Sequence, residues 1–183
     1  MGRADYEFRS VWRVAGTAEE VADVLGDATT FPQWWPSVYL GVQAAPGAGI
    51  STAPGIPGPV ALHTKGWLPY TLRWTMTVTE PVTARGFALT TRGDLNGTGR
   101  WTFEQDGPET VITYDWRVSA AKPLLRRLSW LLKPAFAANH RWAMARGEES
   151  LALELRRRRH AAQPGAVPPP PPPRFRRAPR RDP

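Results

Sequence analysis

Tyr6, Phe8, Ser10, Trp12 and Val14 alternate with Glu7, Arg9, Val11 and Arg13, the period-two pattern of a strand with one face on a core. Thr17, followed three residues later by Glu20, forms a capping box ahead of Val21, Val24 and Leu25 and predicts a helix. Thr29 to Val38 reads as a short helical turn bounded by Pro32 and Pro36, and a strand is expected over Tyr39 to Gln43. Ala44 to Pro59 then holds four prolines and four glycines, which can continue neither a strand nor a helix. A connection of this length inside a domain is expected to serve as a lid or binding loop.

From Val60 to Ala120 the pattern is a meander of strands. Val60, Leu62 and Thr64 share a face. Leu72, Trp74, Met76 and Val78 alternate with Arg73 and four threonines; Phe87 with Leu89, Trp101 with Phe103, and Ile112, Tyr114, Trp116 and Val118 follow. Turns are expected at Glu80-Pro81, Gly93-Asp94, Asn96-Gly97 and Asp106-Gly107-Pro108. The end of the domain is helical, with a first piece over Leu124 to Leu132, an opening or kink at Pro134, and helical periodicity to about Arg159. Phe136, His140, Met144, Gly147, Leu151 and Leu155 fall at steps of three or four and form one stripe toward the sheet.

Charge changes the picture only at the C-terminus. The net charge of +8 lies beyond residue 155, where nine arginines face the single acid Asp182, so the first 155 residues are neutral and hold all nine tryptophans. A basic groove that tracks a phosphate backbone therefore loses its support, and no specific nucleic-acid binding is expected. With no Cys and three dispersed His, neither disulfides nor a metal site is expected, and no motif calls for a cofactor. No secretory signal or membrane-spanning stretch is found, so the chain reads as soluble and cytoplasmic.

Three groups of residues carry a family resemblance: Phe31-Pro32-Gln33-Trp34-Trp35-Pro36-Ser37-Val38, then Gly99-Arg100-Trp101-Thr102-Phe103 with Thr113-Tyr114-Asp115-Trp116, and Asn139-His140 through Met144 to Gly147. In this order and spacing the chain resembles the START-like (SRPBCC) superfamily, which includes polyketide cyclases/dehydrases and lipid-transfer domains. The resemblance covers about Asp5 to Leu155. It implies an α+β helix-grip fold, a curved antiparallel sheet wrapped around a long C-terminal helix, with an apolar cavity between them. The domain is set at 1–159, followed at 160–183 by a disordered Pro/Arg-rich tail.

The strand alternation puts Tyr6, Phe8, Trp12, Trp74, Met76, Phe87, Trp101, Phe103, Tyr114 and Trp116 on the concave face. Aromatics at this spacing either tile a ligand cavity or fill a packed core, and the resemblance favours the cavity. The candidate ligand contacts are Trp35, Tyr39, Trp67, Trp74, Met76, Trp101, Phe103, Tyr114, Trp116, Phe136, His140 and Met144. Trp35, Tyr39 and Trp67 are expected at the rim, and Trp34 under the helical turn.

His140, one turn from both Phe136 and Met144, is the weak candidate for an acid/base group. The alternative is a buried neutral imidazole that orients the helix, with Asn139 or Tyr114 as its partner. Ser10, Thr64 and Thr91 are polar at inward positions and need partners. The expected partner is a hydrophobic small molecule, lipid-like or polycyclic, that is bound or, alternatively, cyclised by aldol closure and dehydration. The arginines of the tail offer a third possibility, weak contact with an anionic membrane or an acidic partner.

Overall fold

The computed structural model describes residues 6–46, 54–120, 129–161 and 167–174. Strand β1 (Tyr6–Ala15) leads into α1 (Ala18–Gly26), a turn of 3-10 helix at Ala28–Thr30, the short α2 (Phe31–Trp34) and β2 (Tyr39–Ala44). Strands β3 (Val60–Lys65), β4 (Thr71–Val78), β5 (Gly86–Gly93), β6 (Leu95–Asp106) and β7 (Glu109–Ala120) follow, and α3 (Ser129–Arg159) closes the series. The strands form one antiparallel sheet in the order β1-β7-β6-β5-β4-β3-β2. This is the helix-grip α+β architecture that the sequence suggested.

Each element forms for a local reason. The hydroxyl of Thr17 accepts from the Glu20 backbone N–H while the Glu20 carboxylate accepts from Thr17 N–H, which satisfies two donors at the start of α1. The Asp27 carboxylate caps the 3-10 turn through Thr29 N–H. Between β6 and β7, Gly107 takes a φ of 58°, a conformation that a side chain would strain.

Two local expectations are corrected. Asn96-Gly97 makes no turn of its own, because both residues lie within β6, where Gly97 pairs with Val118 of β7 and a Cβ would strike the Arg117 carbonyl. The turn is made upstream, where the Asn96 side chain bonds both the N–H and the C=O of Gly93. Pro134 does not open a new helix either, since it lies inside the continuous α3. The expected first piece at Leu124 to Leu132 and the centre of the Ala44–Pro59 loop fall largely outside the described residues.

The inward faces of β1 and β3 to β7 meet α1, α2 and α3 around Trp12, Val14, Leu25, Trp34, Ile112, Leu151 and Leu155, all almost completely buried. Gln105 ties the base of this core together: its side-chain oxygen accepts from Ala18 N–H, and its NH2 donates to the carbonyls of Gly16, Gly107 and Glu109. At the C-terminal end of α3, Arg159 donates to both Glu20 oxygens and to the Ala15 carbonyl. Arg157 and Arg158 both engage Glu154, and Arg157 also reaches the Pro168 carbonyl at 3.3 Å. Arg157, Arg158 and Arg159, at the end of α3, are thus each paired within the chain. No described helix is long and apolar enough to cross a membrane.

Candidate functional site

The cavity exists because α3 crosses the sheet with two different surfaces. Toward its C-terminal end, Leu151 and Leu155 leave no space. Toward its N-terminal end, Phe136, Asn139, His140, Ala143 and Met144 face the aromatic side chains of the strands across a gap. That gap gives the centres of water-sized spheres about 150 Å³ of room, roughly ten waters' worth at ~10–15 Å³ each on the same measure. This is space for a small organic molecule and is not the residue of imperfect packing. Of the two readings of the aromatic spacing, the cavity is what the fold contains.

Its wall is mainly aromatic. Tyr114 stacks on Trp101 with ring centroids 4.0 Å apart, and Trp116 lies 6.1 Å beyond Tyr114. Near the start of α3, Phe136 meets Tyr6 edge-on at 5.6 Å and Tyr70 at 6.3 Å. At the other end Trp35 rests on Gly147, whose missing side chain leaves room for the indole, and Tyr39 packs on Trp35 and Phe31 at 5.1 and 4.7 Å. With ~1.5 Å of rise per residue, Phe136 and Gly147 mark two levels about 16 Å apart along the helix.

Ten of the twelve candidate contacts lie on this wall: Trp35, Tyr39, Trp74, Met76, Trp101, Tyr114, Trp116, Phe136, His140 and Met144. Trp67 and Phe103 do not. Phe103 points inward but sits beyond the cavity, against Phe87 at 6.3 Å, because the sheet continues past the cavity into the packed core near α1. Trp67 belongs to the β3–β4 turn, where its backbone N–H and that of Leu68 donate to the Asn139 side-chain oxygen at 2.9 and 3.2 Å. Trp35 is no rim residue either; at 3% exposure it closes the inner end. Trp34 is buried beside it and off the wall, as expected of the tryptophan under the turn.

His140 finds neither of the partners expected for it. Its ring stacks on Phe8 at 4.1 Å and lies 5.4 Å from Trp116, and Nε2 is 3.3 Å from the Ser10 hydroxyl. Burial, aided by the positive charge of Arg141, pulls its pKa down to about 4, so the imidazole is neutral at physiological pH. Burial raises the pKa of Tyr39, Tyr70 and Tyr114, the last also through Tyr39 and Tyr70 also through Tyr6, so these phenols stay protonated. Thr64 is satisfied by the Trp74 indole N–H at 3.0 Å, whereas the Thr91 hydroxyl is buried without a partner. Among the described residues no group of three His, Asp or Glu could hold a metal ion.

Sequence reasoning did not single out Tyr70 or Asn139 as contacts. Tyr70 continues the inward series of Leu72, Trp74 and Met76 by one step of two and was legible on that ground. Asn139 was not, because its role depends on a turn 71 residues earlier in the chain.

The polyketide cyclase / dehydrase and lipid transport family model matches residues 6–156. None of the curated proteins matches the chain. Among solved structures, it is similar to the Zhui aromatase/cyclase from Streptomyces sp. R1128, at 20% identity and a TM-score of 0.63, covering 88% of this chain and 99% of that one. A protein from Thermus thermophilus gives 16% identity and 0.63, over 86% and 99% of the two chains. A START superfamily protein from Mycobacterium smegmatis gives 19% and 0.54, over 76% and 98%. At these identities the structures speak for the fold alone, while the family match spans the whole sheet and nearly all of α3: the chain belongs to the polyketide cyclase / dehydrase and lipid transport family.

Proposed function

We propose that the protein binds a hydrophobic small molecule, lipid-like or polycyclic, in the cavity between the sheet and α3. The observation that carries this reading is the open aromatic chamber at a place where the rest of the same interface is fully packed. Apolar burial supplies most of the affinity, at ~25 cal/mol per Å² of apolar surface. The polar wall groups set the orientation of the guest. Native mass spectrometry of the purified full chain, with extraction and identification of what co-purifies or re-binds, tests it. A bound apolar compound at one-to-one stoichiometry is expected. Failure to retain any compound from a panel of lipids, steroids and polycyclic aromatics would overturn it.

A second reading, cyclisation and dehydration of a poly-ketone chain, is favoured by one observation, the neutral His140 imidazole beside the Ser10 hydroxyl on the wall. With its pKa near 4 the imidazole is a weak base, so the His140–Ser10 pair would serve as a proton relay, and the chamber supplies orientation. The measurement is turnover of a polyketide mimic by wild type, His140→Ala and Tyr114→Phe. Loss of turnover in His140→Ala with unchanged ligand binding supports catalysis, and indifference to both substitutions removes these residues from it.

A further inference from the structure

Exposure along the cavity wall shows where a guest can enter. Toward the packed end of α3 the wall residues Leu25, Phe31, Trp35, Phe87 and Met144 are buried, whereas Tyr6, Lys65, Gly66, Tyr70, Phe136 and Asn139 are half-exposed. These six converge from the start of β1, the β3–β4 turn and the N-terminal half of α3, so the chamber opens between the turn and the helix. The Ala44–Pro59 connection, the lid expected from composition, adds no described residue to the wall. Its second limb is tied elsewhere: the Gly55 carbonyl accepts from Val82 N–H at 2.9 Å, Ile56 packs on the core, and Val82 lies against Gly26 at the end of α1. The turn that does stand at the opening is the short one, Gly66 to Tyr70.

One side chain bridges that opening. The Asn139 side-chain oxygen accepts from both Trp67 N–H, at 2.9 Å, and Leu68 N–H, at 3.2 Å. Gly66 makes this approach possible, since a Cβ there would lie 2.1 Å from the same oxygen. Each side of the bridge is anchored independently. On the helix, the next residue His140 stacks on Phe8 at 4.1 Å and reaches the Ser10 hydroxyl at 3.3 Å, which pins α3 to β1. On the sheet, Lys65 N–H donates to the Val38 carbonyl at 2.8 Å at the base of the turn, and Tyr70 N–H donates to the Leu68 carbonyl at 2.9 Å within it. Two hydrogen bonds of modest net strength thus join two firm supports and can part without unfolding either. Tyr70, edge-on to Phe136 at 6.3 Å, would swing away with the turn and widen the opening.

We infer that Asn139 is the latch of the chamber, a positioning residue that holds the Gly66–Tyr70 turn across the opening and sets how fast a guest enters and leaves, without setting how tightly it is held. This rests on the ligand-binding reading above and adds the control of access to it. A latch raises the barrier equally in both directions, so its loss changes the entry and release rates by one factor and leaves their ratio alone. The probe is N-phenyl-1-naphthylamine, an uncharged apolar fluorophore, followed by stopped-flow fluorescence through the tryptophans of the full chain at neutral pH. Asn139→Leu, similar in size but without the acceptor, should speed entry and release alike by about tenfold and keep Kd within about twofold of wild type, which also shows that the variant is folded. Asn139→Asp retains an acceptor for both N–H groups and should stay within about threefold of the wild-type rates. The chain has no cysteine, so the closed form can also be stapled. A Cβ on Gly66 would lie 2.6 Å from Asn139 Cγ, which puts the two Cβ positions within roughly 4 Å, in disulfide range. Oxidised Gly66→Cys/Asn139→Cys should exchange the probe at least about tenfold more slowly than wild type, and dithiothreitol should restore fast exchange. Equal rates in wild type, Asn139→Leu and the oxidised staple, or faster release in Asn139→Leu with entry unchanged, would overturn the latch while leaving ligand binding in place. If no form takes up the probe, the latch and the underlying reading fail together.

Discussion

The two halves of α3 use the same kind of surface to opposite ends. From Gly147 to Arg159 the helix is held against α1 and β1: Ser150, Leu151 and Leu155 are buried, Glu148 accepts from the Arg13 backbone N–H, and Arg159 locks onto Glu20 and Ala15. From Phe136 to Met144 it faces a chamber, and polar groups on the chamber wall, the indoles of Trp35 and Trp116 among them, are left without protein partners. Close packing is therefore concentrated at one end of the helix and the cavity lies at the other. Separating them lets the cavity half keep empty volume, a feature that costs free energy and that a single uniform core could not sustain.

The largest test of this contrast is a pair of truncations. Leu151→Ala should cost about 4 kcal/mol, because it opens a void in fully packed surroundings, whereas Met144→Ala, which enlarges space already present and loses only the transfer free energy of the side chain, should cost about 2 kcal/mol. Urea unfolding midpoints at constant slope read the difference, and equal losses would erase the distinction.

Next in size is the acid response of His140. Its folded pKa of about 4 lies below the unfolded value near 6.5, so at pH 4 to 6.5 the unfolded chain binds more protons. The contribution is complete above pH 6.5 and is lost as pH falls toward 4, by about 3 kcal/mol. In His140→Phe that part of the slope should vanish. Glu20, held at about 2 first by Arg159 and then by the Thr17 N–H, acts in a lower window: its share is present above its ordinary pKa of 4.5 and is lost as pH falls through the folded value. The two windows separate the cavity half from the packed half in one titration.

The smallest expected effect is Thr17→Ala, which removes the capping hydroxyl of α1 at a cost of about 1 kcal/mol. Thermal denaturation should show the loss, and calorimetric affinity for any cavity ligand should be untouched. A change in that affinity would mean that the packed end and the chamber are coupled.

What could be read in the sequence follows the range of the interactions. The alternation in β1, β4 and β7 exposed the wall residues Trp74, Met76, Tyr114 and Trp116, because which face a strand residue takes is decided within a few positions. The capping box of Thr17 and Glu20 spans three residues and was legible for the same reason. The bond from His140 to Ser10 joins positions 130 residues apart, and Asn139 reaches back 72 residues to Trp67. Such pairings depend on how α3 crosses the sheet, which no local pattern encodes. Phe103 failed as a contact for the same reason: alternation gave its face correctly but not its depth along the strand, and depth decides whether an inward residue meets empty space or a neighbour.

Gly147 acts as a ruler for the chamber. The inner end is Trp35, and Trp35 stands where it does because position 147 has no side chain. A Cβ added there would lie 2.3 Å from the indole, so any larger residue forces the ring or the helix to shift at this end of the chamber. Gly147→Ala is therefore expected to change the length of the chamber while leaving the groups at its other levels as they are.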